Sequence, residues 1–151
     1  MTIVSGGTLA GGLVDTPDLF TIDGDLTLQE GATYHAYVKG PVGAGSDGAG
    51  SQHGQVLVTG SGVVGGTLKL VIAAGYTPAT GDEIFVMLRN GGSGAFDKVV
   101  VVEGSTTMPD QPGAQGSAIT IKGKTGTLRY NSHSSINLSS PATAADISIK
   151  F

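Results

Sequence analysis

Three histidines are the first candidates for chemistry in this sequence, because imidazole is a frequent general base and metal ligand near neutral pH. His35, His53 and His133 lie far apart, without the His-x-His or His-x-x-x-His spacing that puts two zinc ligands side by side. The sequence also lacks the Gly-x-Ser-x-Gly motif that exposes the nucleophilic serine of many hydrolases, so nothing indicates a catalytic triad with these histidines. We expect no enzymatic activity and no metal site, although one histidine per subunit on a three-fold axis would be an economical way to build such a site.

Two pairs of aspartates could offer oxygen ligands to Ca²⁺, namely Asp15 with Asp18 and Asp23 with Asp25. Ca²⁺ takes about six to eight oxygens, and neither pair is followed by the remaining ligands of an EF-hand loop. Aspartate is also frequent in turns, since its side chain bonds to nearby backbone N–H groups. We expect turn and capping roles for these four residues.

Two further motifs also favour structural roles. Residues 43–48 match the Gly-x-Gly-x-x-Gly dinucleotide fingerprint, but that motif must open a helix, and the residues after it have no helical pattern. Asp82 and Glu83 are adjacent acids in a predicted turn, so they give no support to the carboxylate pair of a glycosidase. The sequence therefore predicts no cofactor.

Composition limits the classes of partner. The absence of cysteine excludes disulfides and thiolate catalysis, and the net charge is -4. The eight basic residues are scattered, and only Lys122 and Lys124 could share a strand face, so we expect no nucleic-acid binding. No stretch approaches the roughly 20 apolar residues that span a membrane. The N-terminus lacks the basic and apolar regions of a signal peptide, so we expect no conventional export.

The elements that must position these residues are short β-strands. The chain contains 26 glycines, and a glycine inside a helix or strand costs about 0.5–1 kcal/mol relative to alanine, so most of them must lie in turns or bends. Apolar residues alternate with polar ones, and no ten-residue segment has a helical stripe. We predict an all-β fold with strands at 19–22, 26–28, 34–38, 55–59, 63–64, 67–72, 83–89, 99–102, 118–122, 127–130 and 146–151.

The same pattern predicts the domain organisation. Residues 1–18, interrupted by glycine pairs, read as an extended N-terminal arm, and residues 19–151 read as a single all-β domain. Long polar loops are predicted at 40–54 and 103–117. Asp23-Gly24, a dipeptide favoured in hairpin turns, ends the predicted strand at 19–22.

The middle of the chain resembles a known bacterial pattern. Gln-Val-Leu-Val-Thr-Gly begins at residue 55, and Gly-Thr-Leu-Lys-Leu, Gly-Tyr-Thr-Pro, Gly-Asp and Gly-Ser-Gly-Ala-Phe follow at 66, 75, 81 and 92. In this order and spacing they resemble the C-terminal part of autotransporter-type passenger domains and related bacterial β-solenoid surface proteins. The resemblance covers about residues 20–151 and implies a short β-solenoid-like or β-sandwich core with long Gly-rich loops.

The function expected from these features is structural. A short chain with a Met start, no export signal and low charge resembles a bacteriophage virion component, such as a capsid decoration (cement) protein assembled in the host cytoplasm. Its partner would be the major capsid protein or another virion protein, and a homo-oligomer, most simply a trimer, would fit. The arm would add strands to neighbours by β-augmentation and bury apolar side chains between subunits. The arm residues expected to bind are Ile3, Val4, Leu9, Leu13 and Val14.

An alternative interpretation stays open at this stage. The chain could be a fragment of a secreted or cell-surface bacterial adhesin of the autotransporter type. It would then bind a host glycan or protein through loops 40–54 and 103–117.

Overall fold

The computed structural model describes residues 1–13, 16–41, 52–134 and 145–151. Within these ranges every regular element is a β-strand and there is no helix, so the predicted all-β class is confirmed. The strands are β1 (Thr2–Ile3), β2 (Thr8–Ala10), β3 (Gly12–Leu13), β4 (Thr16–Pro17), β5 (Leu19–Ile22), β6 (Leu26–Leu28), β7 (Thr33–Val38), β8 (Gln55–Val58), β9 (Gly62–Val64), β10 (Thr67–Ile72), β11 (Glu83–Arg89), β12 (Gly92–Gly94), β13 (Lys98–Glu103), β14 (Thr106–Thr107), β15 (Gln111–Pro112), β16 (Ala118–Ile121), β17 (Lys124–Ser132) and β18 (Asp146–Lys150).

Three sheets take their parallel strands from successive stretches of the chain. Sheet 1 has the order β1-β6-β9-β12, sheet 2 contains β2-β7-β10-β13, and sheet 3 contains β5-β8-β11. All of these neighbours are parallel. We call each stretch that supplies the sheets in turn a coil. Coil 1 is residues 2–22, coil 2 is 26–58, coil 3 is 62–89 and coil 4, which reaches only sheets 1 and 2, is 92–103.

The register between coils lines up apolar side chains into columns. In sheet 2, Leu9, Tyr34, Leu68 and Val99 occupy equivalent positions on the four strands, and all are buried. Period-2 alternation produces this arrangement because every second residue points to the same face. Burial of apolar surface contributes about 25 cal/mol per Å², so these columns are the main source of stability.

The segment predicted to be an arm has a different role in the structure. Within residues 1–18, β1 is paired with β6 and β2 with β7, so this segment supplies strands to sheets 1 and 2 of its own chain. β3 and β4 form a small antiparallel pair beside them. The described residues of this segment lie on the domain as most of coil 1.

The turn at Asp23-Gly24 also differs from its local interpretation. Gly24 has a φ of 104°, which agrees with a glycine-dependent turn. The strands on either side, however, belong to sheet 3 and sheet 1, so the turn is a corner between sheets and makes no hairpin.

Coil 4 is followed by antiparallel strands. β14 and β15 pair with β13, whereas β18, β17 and β16 continue sheet 3 beyond β11. The predicted loop 103–117 therefore contains two short strands. Ile147 and Ile149 of β18 lie in the core with Phe151 packed against it, as their shared face predicts.

Candidate docking surface

Coil 1 leaves three strand edges without a second partner among the described residues. β1, β2 and β5 each stand at the end of their sheet, and each is hydrogen-bonded to one strand of coil 2. An edge strand presents unpaired N–H and C=O groups on its outer side. We call this side of coil 1 the open end.

Hydrogen bonds to coil 2 show which backbone groups point outward at the open end. The carbonyls of Met1 and Ile3 accept from the N–H groups of Thr27 and Gln29, at 2.9 and 3.0 Å. Because bonding direction alternates along a strand, the N–H and C=O of Thr2 face away from the sheet.

The other two edges follow the same rule. Gly7 O accepts from Thr33 N, and Asp18 O and Ile22 O accept from Gln55 N and Thr59 N. The outward groups are therefore those of Thr8 and Ala10 in β2, and those of Leu19 and Thr21 in β5.

Apolar side chains are exposed at the same end. Met1 is 54% exposed, Val4 58% and Phe20 40%, and the remaining exposed large apolar residue of the described chain is Val63 on sheet 1. Phe20 is in register with Val56 and Met87, both fully buried. Phe20 is thus the uncovered last member of a core column.

The residues predicted to bind a partner lie in different environments in the structure. Leu9 is buried and Ile3 packs against the core of the same chain, while Val4 projects into solvent. Leu13 is in β3, with its backbone paired to Thr16, and Val14 lies outside the described residues. Sequence reasoning missed Phe20, although its place at the start of the first strong strand was a signal for it.

The opposite end is covered in two of the three sheets. Beyond β13 of sheet 2 lie β14 and β15, and the outer edge of β16 in sheet 3 is occupied by a side chain. Thr120 N donates to Gln111 Oε1 at 2.6 Å, and Gln111 Nε2 donates to Thr120 O at 3.0 Å. In sheet 1, β12 remains an edge strand. We call this side the closed end.

Lys122 fastens the closed end to coils 3 and 4. It has a φ of 46°, in a region where L-residues other than Asn, Asp and His are uncommon. Its N–H donates to Glu103 Oε1 at 2.5 Å, and its Nζ donates to Ala73 O and Ala74 O at 2.9 and 2.5 Å. These bonds hold the β16–β17 turn in place, so Lys122 has a structural role.

Within the described ranges, no histidine belongs to a candidate metal-binding cluster. His53 is fully buried, with Nδ1 3.0 Å from Gly40 O and Nε2 3.1 Å from Phe85 O, and burial lowers its pKa. Burial, followed by the Lys69 charge, lowers the pKa of His35. No group of three or more His, Cys, Asp or Glu residues in the described ranges could hold a metal ion.

Most of the candidate acids hold turns together. Asp23 Oδ1 accepts from Thr59 Oγ1 at 3.0 Å, and Asp25 Oδ1 accepts from Ser61 N at 2.8 Å. Asp82 Oδ2 accepts from Tyr76 OH and Ala79 N, at 3.0 and 2.9 Å. Asp15 lies outside the described residues.

Where the structure describes the predicted loops, hydrogen bonds and packing hold them against the domain. Residues 42–51 of loop 40–54, which include the whole glycine fingerprint at 43–48, lie outside the described ranges. At the base of this loop Lys39 N donates to Gln52 O at 2.6 Å, and Val38 pairs with His53. In loop 103–117, Gln111 and Met108 contact the closed end and the core.

A surface groove of about 500 Å³ lies at the corner between sheets 1 and 2 and reaches the open end at Ser5. Lys98 at its rim forms an ion pair with Asp110, with 2.7 Å between Nζ and Oδ2. The groove residues are Ser5, Glu30, Gly31, Thr67, Asp97 and Lys98.

Comparisons with known proteins give no assignment. No protein-family model matches the chain, and neither curated proteins nor solved structures give a significant match. The described residues include no helix of the length and hydropathy needed to cross a bilayer. The difference between the open and closed ends is thus the main functional evidence.

Proposed function

We propose that this chain is a structural protein that binds another protein through its open end by strand addition. The coils would form a short β-solenoid, a reading supported by the parallel pairing of successive coils in one register. In its most concrete form the chain is a virion surface protein, such as a capsid decoration or cement protein. The major capsid protein or another virion protein is then the partner.

The observation that carries this proposal is the difference between the two ends. Natural proteins cover, charge or shorten edge strands to prevent unwanted pairing. Here Gln111 and the strands after coil 4 cover the closed end in sheets 2 and 3, whereas Thr2, Thr8 and Thr21 present outward backbone groups at the open end in all three sheets. A strand laid along such an edge gains main-chain hydrogen bonds, each worth about 0.5–1.5 kcal/mol.

Exposed apolar side chains also support binding at the open end. Phe20 ends a core column, Val4 lies in the same coil, and Met1 directly precedes that coil. A bound strand would extend the core over Phe20 at about 25 cal/mol per Å² of apolar surface removed from water.

Lateral contacts between copies, such as those of a trimer, would use another surface. Val71 and Val102 lie in register on the outer face of sheet 2, and both are partly exposed. Light scattering on the purified chain tests this part: a trimer that Val71→Lys converts to a monomer supports it, and a monomeric wild type contradicts it.

Cosedimentation with phage particles that lack this protein tests the main proposal. We expect the wild type and Thr21→Ala to bind, and Thr21→Pro to lose binding, because proline removes the outward N–H and spares the bonds to β8. No sedimentation of the wild type, combined with binding to a host glycan or cell surface, would favour the adhesin alternative instead.

A further inference from the structure

We infer that the segment received by the open end is a basic strand of a different protein. This inference rests on the proposed function, in which the open end binds by strand addition. It adds the chemistry of the partner, which the backbone edges alone do not specify.

Charge is distributed unevenly along the chain. Residues 1–60 contain six acidic residues and one lysine, whereas residues 61–151 contain six acidic and seven basic residues. Four described acids carry this negative charge. Asp18 lies in coil 1, Asp23 and Asp25 lie at the corner between coils 1 and 2, and Glu30 lies between β6 and β7 of coil 2.

Among the described residues no lysine or arginine forms an ion pair with these acids, and the Met1 ammonium donates to the backbone carbonyl of Asp25 at 2.5 Å. The three ion pairs of the described residues all join side chains between 83 and 150, at the other end of the sheets. Asp18, Asp23 and Asp25 each use Oδ1 to accept a neutral hydrogen bond, from Leu19 N, Thr59 Oγ1 and Ser61 N. A neutral donor leaves the negative charge available to a partner.

The same distribution argues against a second copy as the occupant. Two open ends meeting head to head would bring Asp18, Asp23 and Asp25 of the two copies near one another, and like charges across an interface oppose association. A head-to-tail contact would find β12 of sheet 1 free at the closed end, but Gln111 and β15 already occupy edges there in sheets 2 and 3, so it could not extend all three sheets. A partner strand flanked by lysine or arginine meets neither obstacle.

Two synthetic peptides test the inference. Both are Thr/Val strands of equal length, one with Lys and one with Glu at alternate positions, each labelled for fluorescence anisotropy. We expect the Lys peptide to bind the wild type about tenfold more tightly at low salt, with a preference that shrinks as salt rises. Equal affinity for the two peptides, or no binding of the Lys peptide, would overturn the inference.

Charge variants provide the matched comparison. In the triple variant Asp18→Asn, Asp23→Asn, Asp25→Asn, each amide keeps an oxygen acceptor, and we expect the preference for Lys to fall within about twofold. Asp110→Asn removes an acid at the closed end and should leave the preference unchanged. An equal effect of both variants would contradict a role for the open end.

Thr21→Pro separates this inference from the proposed function. It should abolish binding of the Lys peptide, while Thr21→Ala binds as the wild type does. Retained binding by Thr21→Pro would mean adsorption to the acidic surface and would overturn strand addition here. If particles bind the wild type but the Lys peptide does not, the basic-strand inference fails and the proposed function stands.

Discussion

The side chain of Gln111 pairs with the backbone of Thr120 as a neighbouring strand would. Its Oε1 accepts from Thr120 N at 2.6 Å, and its Nε2 donates to Thr120 O at 3.0 Å. The side-chain amide of Gln111 thus occupies the outer edge of β16, the last strand of sheet 3. The free edge of β5 lies at the opposite end of the same sheet. This asymmetry between the ends directs binding to coil 1.

Replacement of Gln111 by alanine is expected to weaken the closed end. Two exposed hydrogen bonds are lost, so the free energy of unfolding should fall by about 1 kcal/mol. The uncovered β16 edge should also promote self-association at high concentration. Urea unfolding and light scattering measure the two effects, with the exposed Gln29→Ala as control, and unchanged stability together with an unchanged particle size would refute the capping role.

Gly66 is expected to tolerate no side chain. Its φ is 68°, and a Cβ there would collide with the carbonyl oxygen of Ala32 in the preceding coil. Gly66→Ala should therefore lower the free energy of unfolding by about 1–3 kcal/mol.

Gly75 is the matched control for this substitution. A Cβ at Gly75 meets no atom within 4 Å, and its φ is not positive. Gly75→Ala should change stability by less than about 0.5 kcal/mol. Equal losses of unfolding free energy in the two variants would contradict a steric limit at the close approach of coils 2 and 3.

Buried His53 is expected to make the fold sensitive to acid. Burial lowers its pKa in the folded chain, and the carbonyls of Gly40 and Phe85 oppose that shift only in part. Above pH 6.5 the imidazole is neutral in both states. Below it the unfolded chain binds a proton first, so stability falls with pH by up to about 1.4 kcal/mol per unit until the folded pKa is reached.

The measurement is urea unfolding between pH 5 and 8 for the wild type and His53→Gln. Glutamine can donate to a carbonyl and does not titrate, so the variant should have the shallower slope between about pH 6.5 and 5. His35 titrates in both proteins and cancels from the comparison. Identical slopes would show that His53 takes up its proton equally in the folded and unfolded chain.

Asp146 is expected to be a large contributor to stability. It is fully buried, its Oδ1 accepts from Arg89 N at 2.9 Å, and its Oδ2 accepts from Ser134 N at 2.7 Å. Asp146→Ala should lower the free energy of unfolding by about 2–4 kcal/mol. Asp146→Asn keeps one oxygen acceptor and should lose less. A smaller loss for alanine than for asparagine in urea unfolding would contradict this account.

Local patterns predicted the strands well, because alternation and glycine spacing report directly on them. β5, β10 and β11 begin and end at the predicted residues. Sheet membership could not be predicted from those patterns. Asp23-Gly24 has the same turn chemistry in a hairpin and in a corner between sheets, and only the pairing of β5 with β8 separates the two.

The candidate surface was predicted only in part for a similar reason. Apolar residues in a glycine-rich N-terminal segment read equally well as a free arm or as a first coil. Long-range bonds such as Thr33 N to Gly7 O decide between them. The hydrogen bond from Arg89 N to Asp146 Oδ1 likewise joins residues that are 57 positions apart, so no local sequence motif could predict it.

Amide hydrogen exchange on the purified chain without a binding partner tests the central claim most directly. The amides of Thr2, Thr8 and Thr21 should exchange almost as fast as in an unfolded peptide, because they face away from coil 2. The amides of Leu9, in the β2–β7 ladder, and of Thr120, bonded to Gln111, should be protected. Strong protection of Thr8 and Thr21 in the unbound protein would contradict the account, because the edges of coil 1 would already be covered.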